Sequence, residues 1–417
     1  MRKLVAVSFS FFLILSSAYA DTVQTNALMH RRLIWAEQPQ TSAIICWDTA
    51  TEGANHRVYF DTESRKAVLK DYKSSQVCTS NGSYTWTPPK KKGEASSAPY
   101  KTDLYYHHAQ LTGLKPATTY YFIMASGDAI SEEFNFTTAP ATDAPLKIVY
   151  GADSRTGIEA RRKLNVLIAK MVEEDQTIIA FAHGGDYVVN GSDLEGWKAW
   201  LKDHELTITA SHRMIPLIPA RGNHESKGPL YDQVLGFPGG AGKNFFATPL
   251  SPEILFVTLN TEIQADGEQK VFLENALSMA KDIRWRVTQY HRPVYPAVKK
   301  EPDAGLEHWV PLFDKYNLAL ACEADGHCIK RTIPIRTESP IRPALSILVR
   351  VVWAQSNAPP IKISGISSPR AWRARGTISI FSPSQRIILG LMSSTSGARS
   401  STRIKFKPAV GIKNRYR

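Results

Sequence analysis

The chain has 417 residues, 51 Lys+Arg against 38 Asp+Glu and a formal net charge of +13. Its 43% hydrophobic and 21% charged content excludes a disordered tail protein and a coiled coil, and the length allows two or three domains with real cores. A surplus this basic ordinarily suggests nucleic acid or an anionic membrane as partner, but its distribution argues against both. Met1–Thr332 carries 36 Lys+Arg and 37 Asp+Glu, whereas Ile333–Arg417 carries 15 basic residues and one acid, Glu338. The basic character belongs to the last 85 residues, so neither partner is inferred for the rest of the chain.

Residues 1–20 read as a secretory signal peptide. Arg2 and Lys3 precede an apolar run from Leu4 to Leu15, and small residues end in Ala18-Tyr19-Ala20, with cleavage expected after Ala20. The run is short for a bilayer span of about 20 residues, and no other stretch is long and apolar enough to serve. A periplasmic or secreted location is thus expected for the mature chain, the periplasm applying to a Gram-negative host. Export permits disulfides. Cys46, Cys78, Cys322 and Cys328 allow three full pairings, and Cys46–Cys78 is favoured because both lie in one β-rich segment.

Residues 21–140 read as an all-β sandwich. Ser42–Asp48, His56–Phe60, His107–Leu111 and Tyr120–Ala125 are rich in β-branched and aromatic residues, with turn residues between them. The turn Leu114-Lys115-Pro116-Ala117-Thr118-Thr119-Tyr120 resembles a corner of a fibronectin-type-III-like module. Trp86–Pro99 reads as an exposed loop and Thr138–Pro145 as a linker.

Residues 146–332 alternate strand and helix, which means an α/β domain. The strands are Leu146–Tyr150, Thr177–Ala182, Met214–Ala220, Ile254–Asn260, Trp285–Tyr290 and Leu318–Cys322. The helices are Ile158–Glu174, one capped by Ser192 or Asp193 and running to Thr209, Asp266–Lys281 and Glu307–Tyr316. Five strands end in polar residues: Asp153, Asp186, Asn223 with His224, His291 and His327. Loops at the C-terminal edge of such sheets converge on ligands. Carboxylate, amide and imidazole donors together suit hard or borderline divalent metals.

The series Gly-Ala-Asp153, Gly-Gly-Asp186, Arg221-Gly-Asn223-His224-Glu225, Tyr-His291-Arg-Pro and Gly-His327 resembles the calcineurin-like metallophosphoesterases. With the preceding β-sandwich, the chain resembles the purple acid phosphatase family over about Arg31 to Thr332. The resemblance implies a four-layer α/β domain and two metal ions, from among Fe, Zn and Mn. Asp153 and Asp186 would hold the first ion. Asp186, Asn223, His291 and His327 would hold the second, with Asp186 bridging. It further implies a small phosphorylated substrate, attack by a metal-supplied hydroxide, and His224 as proton donor or phosphate contact. Arg155 and Arg292 are candidates for charge-assisted bonds to phosphate, with a surface salt bridge as the competing reading.

Two family ligands are missing. Val189 stands where the family has a tyrosine, while Tyr187 would point to the opposite face. Ile329 stands where a second histidine follows Gly326-His327. Both belong to the first metal, so that position is depleted and a mononuclear, colourless centre is expected. Residues 333–417 lose the strand–helix pattern. Two readings stay open there: an authentic basic, anion-binding tail, or a shift of reading frame after Thr332 that leaves the phosphoesterase domain C-terminally incomplete.

The leading reading is an exported phosphomonoesterase of acid phosphatase type. A phosphodiesterase or nucleotidase on the same scaffold, and an inactive phosphate-binding homologue, are the alternatives. Gly236–Lys243 lacks P-loop spacing and there is no Gly-x-Ser-x-Gly elbow, so NTPase and serine hydrolase chemistry have little support.

Overall fold

The computed structural model describes residues 28–86, 100–225, 228–237, 243–298, 303–328, 330–332, 335, 347–350 and 389–390. The expected signal peptide, the loop at 87–99 and most of the basic tail lie outside the described residues.

The N-terminal part is built from strands β1 (Met29–Ile34), β2 (Ala43–Thr49), β3 (Arg57–Asp61), β4 (Ser74–Val77), β5 (Ser80–Trp86), β6 (Tyr100–Leu111), β7 (Thr119–Ser126), β8 (Ala129–Ile130) and β9 (Phe134–Thr137). One sheet has the order β4-β3-β7-β8, with β9 also on β7, and β1-β2-β6-β5 faces it. Period-two alternation fills the space between them: Tyr120, Phe122 and Met124 of β7 and Phe134 and Phe136 of β9 turn inward. Strand β2 is apolar on both faces for a reason. Ala43, Ile45 and Trp47 enter the sandwich core, and Ile44 and Cys46 pack on the α/β part with Trp197 and Tyr231.

The α/β part contains β10 (Lys147–Gly151), β11 (Ile178–His183), β12 (Leu217–Pro219), β13 (Phe246–Ser251), β14 (Ile254–Thr258), β15 (Trp285–Tyr290) and β16 (Leu320–Glu323). Its helices are α1 (Ile158–Glu174), α2 (Leu194–His204), α3 (Leu230–Leu235), α4 (Gly267–Met279), α5 (Gly305–His308) and α6 (Val310–Lys315). Three short strands follow: β17 (Lys330–Arg331), β18 (Ile347–Arg350) and β19 (Leu389–Gly390). The second large sheet runs β13-β14-β15-β16-β18-β17.

The two sheets face each other through Ile148, Tyr150, Ala180, Ala182 and Ile218 on one side and Ile254, Phe256, Val287 and Leu320 on the other. Helices α1 to α3 cover the outer face of the first through Leu164, Ile168, Trp197 and Leu230. Helices α4 and α6 cover the second through Leu273, Leu277, Val310 and Phe313. The result is the expected N-terminal β-rich domain followed by a four-layer α/β domain.

Several boundaries differ from expectation, each for a local cause. The sandwich and the α/β sheet are not separate: β1 pairs in parallel with β12, Ile34 opposite Leu217, so one eight-stranded sheet, β19-β10-β11-β12-β1-β2-β6-β5, crosses the junction. The expected helix Glu307–Tyr316 is split into α5 and α6 at Trp309, beside Pro311, whose missing N–H breaks the ladder. Strand β13 is absent from the expected series; it contains Pro249, which is tolerated because β13 is an edge strand. Asp193, not Ser192, caps α2, accepting from Glu195 N–H. The basic tail contributes backbone to both sheets: β18 pairs in parallel with β16 and β19 with β10.

The favoured Cys46–Cys78 disulfide is absent, and the described cysteines form no disulfide. Strand β6 stands between the two residues. Cys46 is paired with His108 on one side, while Thr79 donates its N–H to the His108 carbonyl from the other. Two strand spacings, about 9–10 Å, exceed what a disulfide bridges.

Candidate metal centre

The loops after β10, β11, β12, β15 and β16 meet at one end of the facing sheets. They approach too closely for ordinary residues. Gly185 has φ +99, and a Cβ there would lie 2.6 Å from the Gly222 nitrogen; a Cβ on Gly222 would collide with the Asp186 carboxylate and backbone. Asp153, Asp186, Asp325 and His327 all adopt left-handed φ, 58, 60, 63 and 49°. Such strain in non-glycine residues concentrates at functional sites.

The metal-ligating atoms of Asp153, Asp186 and His291, all buried, lie within 4.8 Å of one another. His291 Nδ1–H donates to the Gly184 carbonyl at 2.9 Å. That bond fixes the tautomer and aims the Nε2 lone pair inward. There Nε2 meets two oxygens, Asn223 Oδ1 at 3.0 Å and Asp186 Oδ1 at 3.2 Å. A lone pair facing two acceptors requires a cation between them or a proton on the ring. Without a metal it is the proton: burial works against the charge, but Asp186, Asp153 and Asp325 outweigh it and push His291 up to about 10. Asp186 is held well below the usual carboxylate range, burial opposing ionisation and His291 and Arg155 overcoming it. These donors fit a divalent ion at the second position named from the sequence.

Asp186 divides its oxygens between two neighbourhoods, with Oδ2 accepting from Arg155 Nη1 at 2.7 Å. The same nitrogen lies 2.9 Å from His327 Nε2 and 3.5 Å from Asp153 Oδ1. His327 therefore meets the cluster on the Asp153 side, at 3.4 Å from Asp153 Oδ1. Asp153 Oδ1 is buried and takes no hydrogen bond, while Oδ2 accepts from Asp325 N–H at 3.0 Å.

His224 is at the mouth, its side chain 29% exposed, with Nε2 3.9 Å from Asp186 Oδ2. Its Nδ1–H donates to the Val189 carbonyl at 2.6 Å, which leaves Nε2 as the functional atom. Arg292 takes the salt-bridge alternative: its guanidinium grips Glu262 at 2.7 and 3.1 Å. Val189, at the family's tyrosine position, is 61% exposed. Tyr187 is buried and stacked on His183 at 4.0 Å among Trp197, Trp200 and Tyr231, away from the carboxylates as expected. Ile329 lies outside the described residues.

Sequence reasoning assigned no role to two residues. Glu225, fully buried, accepts N–H bonds from Asp186 and Gly222 at Oε2 and from Tyr187 at Oε1, each 2.8 Å. It clamps the loop that presents Asp186. Burial, then the Asp186 charge, pushes its carboxyl up to about 7. Asp325 Oδ1 lies 3.9 Å from His291 Nε2, adding a third carboxylate. The only sequence signals were positional: one residue after Asn223-His224 and two before His327.

Comparison with known proteins agrees with this geometry. Residues 29–138 match the model for the purple acid phosphatase N-terminal domain, and residues 158–328 match that for the calcineurin-like phosphoesterases. Uncharacterized proteins from two strains of Mycobacterium tuberculosis are 23% identical over 359 residues, covering 73% of this chain. The chain spans 62% of the length of these relatives. Among solved structures, purple acid phosphatase PPD1 from yellow lupin (Lupinus luteus) seeds is similar with TM-score 0.62 and 17% identity, covering 78% of this chain and 64% of that one. The structure of PhoD is similar with TM-score 0.51 and 10% identity, covering 77% of this chain and 76% of that one. A purple acid phosphatase N-terminal domain followed by a calcineurin-like phosphoesterase domain, with buried carboxylates and a tautomer-fixed imidazole at the strand ends, gives the chain the domain order and fold of a purple acid phosphatase.

Proposed function

We propose that the chain is an exported metallophosphoesterase that hydrolyses phosphate monoesters, of acid phosphatase type. The carrying observation is the convergence of Asp153, Asp186 and His291 within 4.8 Å, with His291 Nε2 turned toward Asp186 and Asn223 by its Nδ1 bond to Gly184. Asp186, His291 and Asn223 would hold a divalent ion. Bound there, it would supply Lewis-acid stabilisation of the phosphoryl group and a water acidic enough to act as nucleophile.

The chain's own residues do the rest. His224, part-exposed at the mouth, acts as the imidazolium: with Nδ1–H held by the Val189 carbonyl, it gives the proton on Nε2 to the departing alcohol oxygen and is left as the neutral imidazole. Arg155, 14% exposed beside Asp186, binds a phosphoryl oxygen. Arg292 would reach phosphate only after leaving Glu262. Glu225 holds the Asp186 loop in register through all of this. Export rests on the Arg2-Lys3 start, the apolar run and Ala18-Tyr19-Ala20. No described helix is long and apolar enough to cross a membrane.

The test is hydrolysis of an aryl phosphate monoester and diester by the metal-loaded protein and by Asp186→Asn and His327→Ala. The proposal expects monoester turnover exceeding diester turnover, lost at least 100-fold in Asp186→Asn. Faster diester turnover favours the phosphodiesterase alternative. Phosphate binding without turnover favours the binding protein.

A further inference from the structure

We infer that the Arg155 guanidinium occupies the first cation position, so that the centre binds one metal ion and Arg155 supplies the second positive charge. The inference rests on the proposed metal-dependent reading and commits it to one ion.

The geometry is specific. Three donors of the kinds that hold a borderline cation surround a single nitrogen, Arg155 Nη1: Asp186 Oδ2 at 2.7 Å, His327 Nε2 at 2.9 Å and Asp153 Oδ1 at 3.5 Å. Asp186 therefore bridges two cation positions as a carboxylate in a dinuclear site would. Its Oδ1 faces His291 and its Oδ2 faces the guanidinium. Protein-bound arginine does not give up its proton, so this charge is permanent.

The surrounding structure holds the guanidinium in place. Ser154, the preceding residue, is pinned from three sides. Its Oγ bonds His183 Nε2 and accepts from Trp200 Nε1, both at 2.9 Å, and its carbonyl accepts from Arg161 at 3.0 Å. The Arg155 side chain is only 14% exposed. The side chains that would compete for a metal at this point are missing or turned away: Val189 is exposed and Tyr187 is buried in the aromatic cluster.

Charge balance points the same way. Asp153, Asp186 and Asp325 bring three negative charges to the centre. One divalent ion and Arg155 offset all three, whereas two divalent ions and the guanidinium would leave a surplus packed within a few ångströms. Among the described residues, the hydrogen bonds of Arg155 all run through Nη1. The rest of the planar fork keeps donors for a phosphoryl oxygen.

The test is Mn2+ stoichiometry of the full chain, by direct metal analysis after equilibrium dialysis, with the electron spin resonance spectrum of the loaded protein. Wild type should bind one ion per chain and give an uncoupled six-line spectrum. Arg155→Ala, which uncovers Asp153, Asp186 and His327, should bind a second, weaker ion. Arg155→Lys, which keeps a cation, should stay at one. Two ions in wild type, or an exchange-coupled spectrum, would overturn the inference while leaving the phosphoesterase reading standing. One ion in both wild type and a folded Arg155→Ala also overturns it, because the guanidinium would then hold no cation position. No bound ion overturns both readings.

Discussion

Replacing Glu225 with alanine should unseat the metal centre without touching it. Its carboxylate receives three buried backbone N–H groups, from Asp186, Gly222 and Tyr187, all at 2.8 Å. An orphaned buried donor costs about 1–3 kcal/mol. With water admitted to the space left behind, the three together should cost about 3–5 kcal/mol. That is a large share of the 5–15 kcal/mol by which domains are typically stable. The same loss frees the turn that sets Asp186, so metal affinity should fall about 10–100-fold, the usual effect of removing a group that orients a ligand. Glu225→Gln should fall between, since one amide oxygen can still accept while its NH2 group confronts a donor. Urea unfolding at fixed pH gives the first quantity and Mn2+ titration the second. A change under about 0.5 kcal/mol in Glu225→Ala, with metal affinity unchanged, would refute the clamp.

Two other expectations follow from named side chains. His107, His108 and His204 are buried, and burial first of all holds each down to about 3. They are neutral when folded and take up a proton on unfolding. Stability is therefore present above their ordinary pKa near 6.5 and drains as pH falls toward 3, at about 1.4 kcal/mol per pH unit for each histidine. Unfolding midpoints at pH 7.5, 6 and 4.5 check this, and a flat profile contradicts it. Iron-loaded protein should show no visible charge-transfer band, because Tyr187 is packed against His183 and Trp200 and Val189 stands at the tyrosine position; a coloured protein would refute that placement.

Much of the architecture was legible because it is written locally. Alternation in β7 and β9 and the 3.6-residue period of α1 each repeat within one segment, and α1 occupies the expected Ile158–Glu174. The candidate site residues were legible for a related reason: each follows a strand, all but His291 within a glycine-marked turn, and strands of an α/β sheet deliver such turns to one edge. Errors arose where distant partners decide. Pro249 is acceptable only because β13 lies at a sheet edge, and Cys46 and Cys78 are separated by a strand from elsewhere in the sequence.

The chain's order of residues already contained the family resemblance, the two-part architecture, the candidate donors and the valine at the family's tyrosine position, since these depend on residue identity and short spacing. It could not contain the contact of Arg155 with Asp186, 31 residues away, and with His327, 172 residues away. Nor could it contain the Glu225 clamp, the Arg292–Glu262 bridge or the continuous sheet formed where β1 meets β12. Those follow from which strands neighbour which. The net charge of +13 is a sum over the chain, whereas the charge that matters at the candidate site is one guanidinium among carboxylates, placed there by the folding of separate loops onto one edge.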